Sequence, residues 1–200
     1  MIYTIIAEPR SGGVSLMNWI EKSLPEFTIA QEPWFNENDL WITGEDVNEV
    51  DWIKKYNNIC IREIYEPTRD FTNLINISDK VLCLYRKNWR EQVRSLLYQE
   101  IQNIYLDTYD EQDVLKLITI EMINDRYKSN FKKHKDGFKK FIKENNFISV
   151  SYEELYYGDA IDIVKKHFNF DNNVEFPLNM RHLKRDGVPV EPKKIKTNII

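Results

Sequence analysis

The start of the chain constrains its fold most, because an apolar run is followed by a loop of small residues and then by a helical pattern. The run covers residues 2–7 and the loop covers residues 8–13. Within the loop, Pro9 cannot continue a central strand, and two adjacent glycines permit a tight turn. The sequence therefore predicts a strand, a loop and a helix. The helical pattern consists of Leu16, Met17, Ile20 and Leu24.

A strand, a small-residue loop and a helix N-terminus in this order form an anion-binding site. The free backbone N–H groups and the positive end of the helix dipole point at whatever lies over the loop. Arg10 adds a planar guanidinium whose donors suit a phosphate or a sulfate. We therefore expect a phosphorylated ligand at this loop.

Apolar runs alternate with helical patterns along the rest of the chain. Several of the runs are continuous, as expected for a parallel sheet covered on both faces. The alternation predicts one α/β domain over residues 1–200, a three-layer, doubly wound parallel sheet of about five strands with ligands at their carboxyl ends. The predicted strands are 2–7, 27–30, 58–64, 80–85 and 147–151, and helices are predicted at 67–77, 88–106, 111–133, 138–145 and 159–168. Residues 176–200 are polar and irregular, so we expect either a loop over the site or disorder.

Composition argues against several classes of protein. No apolar stretch approaches the roughly 18 residues that cross a bilayer, and the N-terminus lacks a signal-peptide pattern, so we expect a cytoplasmic protein without membrane insertion. The net charge of −4 gives no general reason to expect nucleic acid. Cys60 and Cys83 lie in predicted strands and are expected to be reduced core residues. The three histidines show no metal-ligand spacing, so no metal is expected.

The loop is not a standard nucleoside-triphosphate loop, which has the pattern G-x-x-x-x-G-K-[ST]. Gly13 occupies the position of the lysine, and Val14 occupies the position of the hydroxyl residue. The loop therefore argues against an ATPase or a GTPase. A kinase of a small molecule on a similar sheet is the alternative enzyme, and the missing lysine counts against it.

Three segments resemble the signatures of sulfotransferases, which use 3′-phosphoadenosine 5′-phosphosulfate as the sulfate donor. Residues 9–12 (PRSG) resemble the 5′-phosphosulfate loop, P-[RK]-S-G-[TS]-[TS]. Residues 81–88 resemble the second signature, a strand ending in a basic residue before Asn or Asp, and Ser95 stands at the position of its 3′-phosphate serine. Residues 149–155 resemble the late strand that precedes Y-E-[DE]-L. The segments occur in the order found in that family.

The resemblance implies a P-loop-like sulfotransferase fold and a sulfuryl transfer from the nucleotide donor to an acceptor hydroxyl or amine. The sequence does not identify the acceptor: a glycan or a small metabolite is one candidate, and a lipid or a peptide is another. No metal is implied, because Arg10 and the helix terminus would supply positive charge. The residues implied at the 5′ end of the donor are Arg10, Ser11, Gly12, Gly13 and Ser15. Those implied at the 3′-phosphate are Arg86, Lys87 and Ser95, with Arg185 from a basic segment that closes over it.

The segment that follows the second predicted strand contains a candidate base. Glu32 precedes Pro33, and many bacterial and glycan-acting sulfotransferases use a Glu in an E-P-[FWL] turn as the base. The resemblance thus implies Glu32 and Arg10 as catalytic residues. An apolar wall formed by Trp34 and Phe35 would raise the pKa of the carboxyl group and make it a better base. An exposed glutamate in an ordinary turn is the alternative.

The loop departs from the family at Gly13 and Val14, where two hydroxyl residues are usual. Ser15 would supply a hydroxyl if the loop were one residue longer. Otherwise the chain is a nucleotide- or glycan-binding relic that has lost activity.

Two further groups of charged residues have open roles. Arg62 and Glu63 end the third predicted strand at the cleft edge, where they contact the acceptor or form a structural ion pair. The lysine-rich run from residue 132 to residue 143 is expected to be a solvated helix face.

Overall fold

A computed structural model describes residues 1–33, 48–104, 111–170 and 174–176 and contains one sheet of five parallel strands. Each strand lies within one residue of a predicted strand, so the predicted α/β class and the five-stranded parallel sheet are confirmed. The strands are β1 (Ile2–Ala7), β2 (Thr28–Gln31), β3 (Ile59–Ile64), β4 (Lys80–Tyr85) and β5 (Ile148–Ser151), and their order in the sheet is β2-β3-β1-β4-β5.

The helices match the predictions less closely than the strands do. The segment predicted as one helix over 111–133 begins with two separate helices. The second of them leads through a π-helical turn into a helix that includes the predicted helix 138–145. Short helices at 49–53 and 152–157 were not expected. The helices are α1 (Gly13–Ser23), α2 (Glu49–Ile53), α3 (Thr72–Ile77), α4 (Trp89–Ile104), α5 (Glu111–Leu117), α6 (Ile120–Arg126), α7 (Lys132–Asn145), α8 (Tyr152–Tyr157) and α9 (Ala160–Phe168), with the π-helical turn at Tyr127–Phe131.

The division between α5 and α6 occurs at Thr119. Its extended backbone and its hydroxyl, which accepts a hydrogen bond from the Met122 N–H at 3.2 Å, make it the N-cap of α6. Threonine is favoured at N-caps because its side chain satisfies an N–H that lacks a partner within the helix. The apolar spacing on both sides of Thr119 is continuous, and it does not reveal this break between the two helices.

Helices cover both faces of the sheet, as a buried parallel sheet requires. On one face, Cys60 packs in a cluster with residues of α1, α8 and α9. On the other face, Cys83 packs with residues of α2, α3 and α7. Both cysteines are free and buried, as predicted, and burial raises the pKa of each thiol. Of the predicted irregular segment 176–200, only Phe176 is described; it is buried against Trp19.

The strand order places β1 between β3 and β4. Ala7, the last residue of β1, lies beside Ile64 in β3 and Leu84 in β4. The segments after these strands therefore converge at one edge of the sheet, where open α/β sheets bind ligands. Among the described residues, no helix has the length and apolar character that a membrane span requires.

A capping box fixes the start of α8 beside this edge. The Ser151 hydroxyl accepts a hydrogen bond from the Glu154 N–H at 3.1 Å, and the Glu154 carboxylate accepts one from the Ser151 N–H at 2.8 Å. Because Ser151 is fully buried, we expect Ser151→Ala to lower the free energy of unfolding by about 1 kcal/mol. Urea denaturation measures this change, with the exposed Ser129→Ala as the matched control. Equal midpoints for the two variants would contradict the role of the cap.

Candidate anion-binding site

The loop after β1 brings the start of α1 close to two neighbouring elements. The Ser11 hydroxyl donates to the Glu8 carbonyl at 2.6 Å and holds the turn closed. Gly12 is the N-cap of α1, with φ of 84°, and a Cβ there would lie 2.7 Å from Tyr152. Only glycine meets both requirements without strain. No side chain of the described residues caps α1, so its first N–H groups are available to an anion.

Both predicted catalytic residues have left-handed backbone. The φ angle is 58° at Arg10 and 51° at Glu32. The other described non-glycine residues with positive φ, Asn146 and Asn169, cap the ends of helices, where this conformation is common. A non-glycine residue in this region costs of order 1 kcal/mol or more and persists where its surroundings hold it, which is frequent at functional sites.

The Arg10 side chain joins the loop to α4. Its Nε donates to the Ser95 hydroxyl at 2.9 Å, and its Nη1 donates to the Gln99 side-chain oxygen at 3.3 Å. Partial desolvation, together with the nearby Arg86 guanidinium, lowers the pKa of Arg10. The predicted 5′ residue Arg10 and the predicted 3′ residue Ser95 are thus in direct contact.

Arg86 lies against the same loop from the end of β4. Its Nη1 donates to the Arg10 carbonyl at 3.4 Å, and its guanidinium lies 4.4 Å from the centre of the Tyr152 ring. The Nε atom of Arg86 is buried and has no hydrogen-bond partner among the described residues. Arg86 Nε is therefore an unsatisfied donor next to the loop.

Lys87 forms an exposed ion pair. Its Nζ donates to the Glu154 carboxylate at 2.6 Å, and this hydrogen bond raises the pKa of Lys87. The neighbouring Glu153 carboxylate accepts hydrogen bonds from the N–H groups of Lys87 and Asn88, both at 2.9 Å. An exposed ion pair of this kind contributes little stability.

Glu32 pairs with Arg62 at the ends of β2 and β3. The Glu32 carboxylate contacts the Arg62 guanidinium, and the Glu32 N–H donates to the Arg62 carbonyl at 2.7 Å. Arg62 also donates from Nη2 to the Gln31 side-chain oxygen at 3.4 Å. Trp34 and Phe35, the predicted apolar wall, lie outside the described residues.

Glu63 faces the other side of the sheet. Its carboxylate accepts a hydrogen bond from Arg69 at 2.5 Å, and Arg69 also pairs with Glu49 of α2 at 3.0 Å. Burial raises the pKa of Glu63 to about 7. The sequence left open whether Arg62 and Glu63 contact the acceptor or form a structural ion pair. In the structure each of them forms an ion pair, Arg62 with Glu32 and Glu63 with Arg69.

The loop hydroxyls differ from those of the resembled loop. Ser15 is buried, and its hydroxyl shares a hydrogen bond with Tyr156. Val14 is 49% exposed at the start of α1. Gly13 is the first residue of α1, and its backbone amide contributes to the uncapped helix start. The predicted 3′-phosphate residue Arg185 lies outside the described residues.

A buried polar network below the loop was missed in the sequence. Lys135 of α7 is 5% exposed, so the prediction of a solvated face was wrong for this residue. Its Nζ donates to the Glu8 carboxylate at 2.9 Å, to the Arg86 carbonyl at 2.7 Å and to the Gln92 side-chain oxygen at 3.0 Å. Gln92 in turn donates to the Pro9 carbonyl at 2.8 Å. The network fixes the backbone on both sides of the candidate site.

A sequence signal for Lys135 does exist. The residue lies four positions after Phe131 and three before Phe138, and both phenylalanines are buried. Positions at this spacing share one face of a helix. The buried partner Glu8 follows the central strand directly, which places its carboxylate at the edge of the core.

The described histidines have backbone partners. His134 lies 2.6 Å from the Tyr65 carbonyl, and His167 lies 3.0 Å from the Val81 carbonyl. Within the described part of the chain, no group of three His, Cys, Asp or Glu side chains has the arrangement of a metal site. The expectation that the protein needs no metal stays a prediction.

Comparison with known proteins gave no assignment. No protein-family model matches the chain, and no curated protein matches it significantly. Uncapped helix amides lie close to arginine side chains in this site, and both kinds of group favour an oxyanion.

Proposed function

We propose that this protein is a sulfotransferase that takes the sulfuryl group of 3′-phosphoadenosine 5′-phosphosulfate and transfers it to an acceptor hydroxyl or amine. The hydrogen bond of 2.9 Å between Arg10 and Ser95 carries the proposal. The donor bears anionic groups at both ends, and this contact brings the loop proposed for its 5′ end to the helix proposed for its 3′-phosphate.

Donor binding would use the groups that are free or weakly paired. The first N–H groups of α1 and the Arg10 guanidinium would bind the 5′-phosphosulfate. Ser95 and Lys87, with the unpartnered Nε of Arg86, would bind the 3′-phosphate. To bind the 3′-phosphate, Lys87 would have to break its ion pair with Glu154, and an exposed pair of this kind costs little to break.

Transfer then needs a base and a stabilised leaving group. The acceptor oxygen or nitrogen attacks the sulfur, and its proton passes to the Glu32 carboxylate. The bond between the sulfur and the bridging oxygen breaks, and its electron pair remains on the 5′-phosphate as adenosine 3′,5′-bisphosphate leaves. Arg10 and the α1 amides stabilise this negative charge, as positioned donors do in phosphoryl transfer.

A second candidate function rests on the exposed Val14. In the resembled loop this position carries a hydroxyl group, whereas here an apolar side chain faces solvent. A protein that binds the 3′-phosphorylated nucleotide without transferring sulfate would show this replacement. Transfer of labelled sulfate to a panel of hydroxyl and amine acceptors distinguishes the two functions, since only the enzyme transfers the label.

Thermal unfolding with adenosine 3′,5′-bisphosphate tests the donor site. At about 100 times its Kd, a ligand stabilises the fold by roughly 2.7 kcal/mol. For a chain of this size the midpoint should rise by about 5–10 °C. The rise should be lost in Arg10→Ala and Lys87→Ala and kept in Lys139→Ala, which removes the same charge from an exposed position on α7.

ATP and AMP serve as the ligand controls for this experiment. A rise specific to the bisphosphate supports the donor site. The absence of any rise, or equal rises with all three nucleotides, would contradict it. A rise with ATP that depends on magnesium would instead favour the small-molecule kinase.

A further inference from the structure

Arg62 is a buried arginine that reaches the start of α1 from a neighbouring strand. The residue lies near the end of β3 and is 6% exposed. A Cβ at Gly13 would lie 2.7 Å from Arg62 Cδ and 3.0 Å from Arg62 Nη1. The guanidinium therefore lies directly against the first residue of α1, beside the helix amides that are available to an anion.

The donors of Arg62 are only partly satisfied within the protein. Its Nη2 is occupied by the Glu32 carboxylate and by the Gln31 side-chain oxygen. Its Nε is buried and has no hydrogen-bond partner among the described residues. Burying a donor without a hydrogen bond is costly, so such a group at a candidate site indicates a missing ligand. An oxyanion would accept hydrogen bonds both from the uncapped start of α1 and from the buried guanidinium.

Gly13, the residue against which Arg62 lies, is also one of the two positions where the loop departs from the sulfotransferase pattern. The resembled loop carries a hydroxyl side chain at this position, and here the space is occupied by Arg62. A Cβ at residue 13 would collide with Arg62 unless the arginine side chain moved. The absence of a Cβ thus permits an arginine from β3 to lie where the loop hydroxyl would lie.

We propose that Arg62 binds the sulfuryl group of the donor and replaces the loop hydroxyl that Gly13 lacks. This inference rests on the proposed sulfotransferase function. In the resting protein, Glu32 is the counter-charge of Arg62. When the donor binds, the sulfonate oxygens accept hydrogen bonds from Arg62, and the Glu32 carboxylate becomes free to accept the proton of the acceptor.

The test compares two nucleotides that differ only in the sulfuryl group. Isothermal titration with 3′-phosphoadenosine 5′-phosphosulfate and with adenosine 3′,5′-bisphosphate gives a Kd for each. Arg62→Met should weaken binding of the phosphosulfate by about tenfold or more, because it removes a charged hydrogen-bond donor. Binding of the bisphosphate should change less than about twofold. Lys139→Met, which removes an exposed cation from α7, should change neither Kd.

Gly13→Ala provides a second variant that keeps the charge. Its methyl group should displace the guanidinium and produce the same selective loss of phosphosulfate binding. In the Arg62→Met background, Gly13→Ala should cause no further loss, since the contact is already absent. If circular dichroism shows that Arg62→Met does not fold, Gly13→Ala alone decides the question by the same criterion.

The outcomes separate this inference from the proposed function. Equal losses for both nucleotides would show that Arg62 only supports the loop, and unchanged binding would show that it makes no contact; either result overturns the role of Arg62 and leaves the donor site in place. A wild-type protein that binds neither nucleotide overturns the proposed function and the inference together.

Discussion

Replacing Glu32 by glutamine should lower sulfate transfer by about 10²- to 10⁴-fold, which is the usual contribution of a general base. The amide keeps the shape of the side chain but cannot accept the proton of the acceptor. Binding of adenosine 3′,5′-bisphosphate should remain intact, because Glu32 follows β2 and pairs with Arg62 rather than with the loop. The left-handed backbone at Glu32 supports a specific role, since a strained residue of this kind persists where its position is fixed.

Turnover with labelled donor measures this effect, and titration with adenosine 3′,5′-bisphosphate checks donor binding in the same variant. Glu26→Gln is the matched control, because Glu26 is exposed in the turn that precedes β2. Turnover of Glu32→Gln equal to that of wild type would remove Glu32 from the mechanism. Loss of bisphosphate binding would instead show that the variant disturbs the donor site.

Lys135→Met should lower the free energy of unfolding by about 3–5 kcal/mol, the usual cost of removing one partner from a buried ion pair. The variant leaves the Glu8 carboxylate, 2% exposed, without its cation. It also removes the hydrogen bonds from Lys135 to the Arg86 carbonyl and to Gln92. A typical domain has only about 5–15 kcal/mol of stability, so this loss is a large part of the total.

Urea denaturation of wild type and variant measures the loss. Lys139→Met, one turn along α7 and exposed, should change the free energy of unfolding by less than about 0.5 kcal/mol. The double variant Glu8→Gln, Lys135→Met should be more stable than Lys135→Met, because it removes the uncompensated charge. A loss below about 1 kcal/mol in Lys135→Met would contradict the role of this network.

The strands were predictable because their signal is local. A strand buried on both faces needs a continuous apolar run, and the runs at residues 2–7 and 80–85 coincide with β1 and β4. The order of the strands in the sheet does not follow from the runs. It depends on how the helices pack on the two faces. Only the folded structure therefore shows that β1 lies between β3 and β4.

The boundaries of the helices were less predictable, because several of them depend on single hydrogen bonds. The apolar spacing continues across Thr119, yet the side chain of this residue begins a new helix. The short helix α8 depends on the capping box between Ser151 and Glu154. Helices of one to two turns have little propensity signal, and their stability comes from caps and tertiary packing.

The sequence by itself determined the apolar strands, the small-residue loop before a helix and the residues Arg10 and Glu32 as candidates for chemistry. Only the tertiary structure decided their partners, namely Ser95 for Arg10 and Arg62 for Glu32. The physical reason is distance along the chain: strand and helix patterns repeat over a few residues, whereas these contacts join segments 30 and 85 residues apart. Such contacts form only when the folded sheet has brought the carboxyl ends of its strands to one edge.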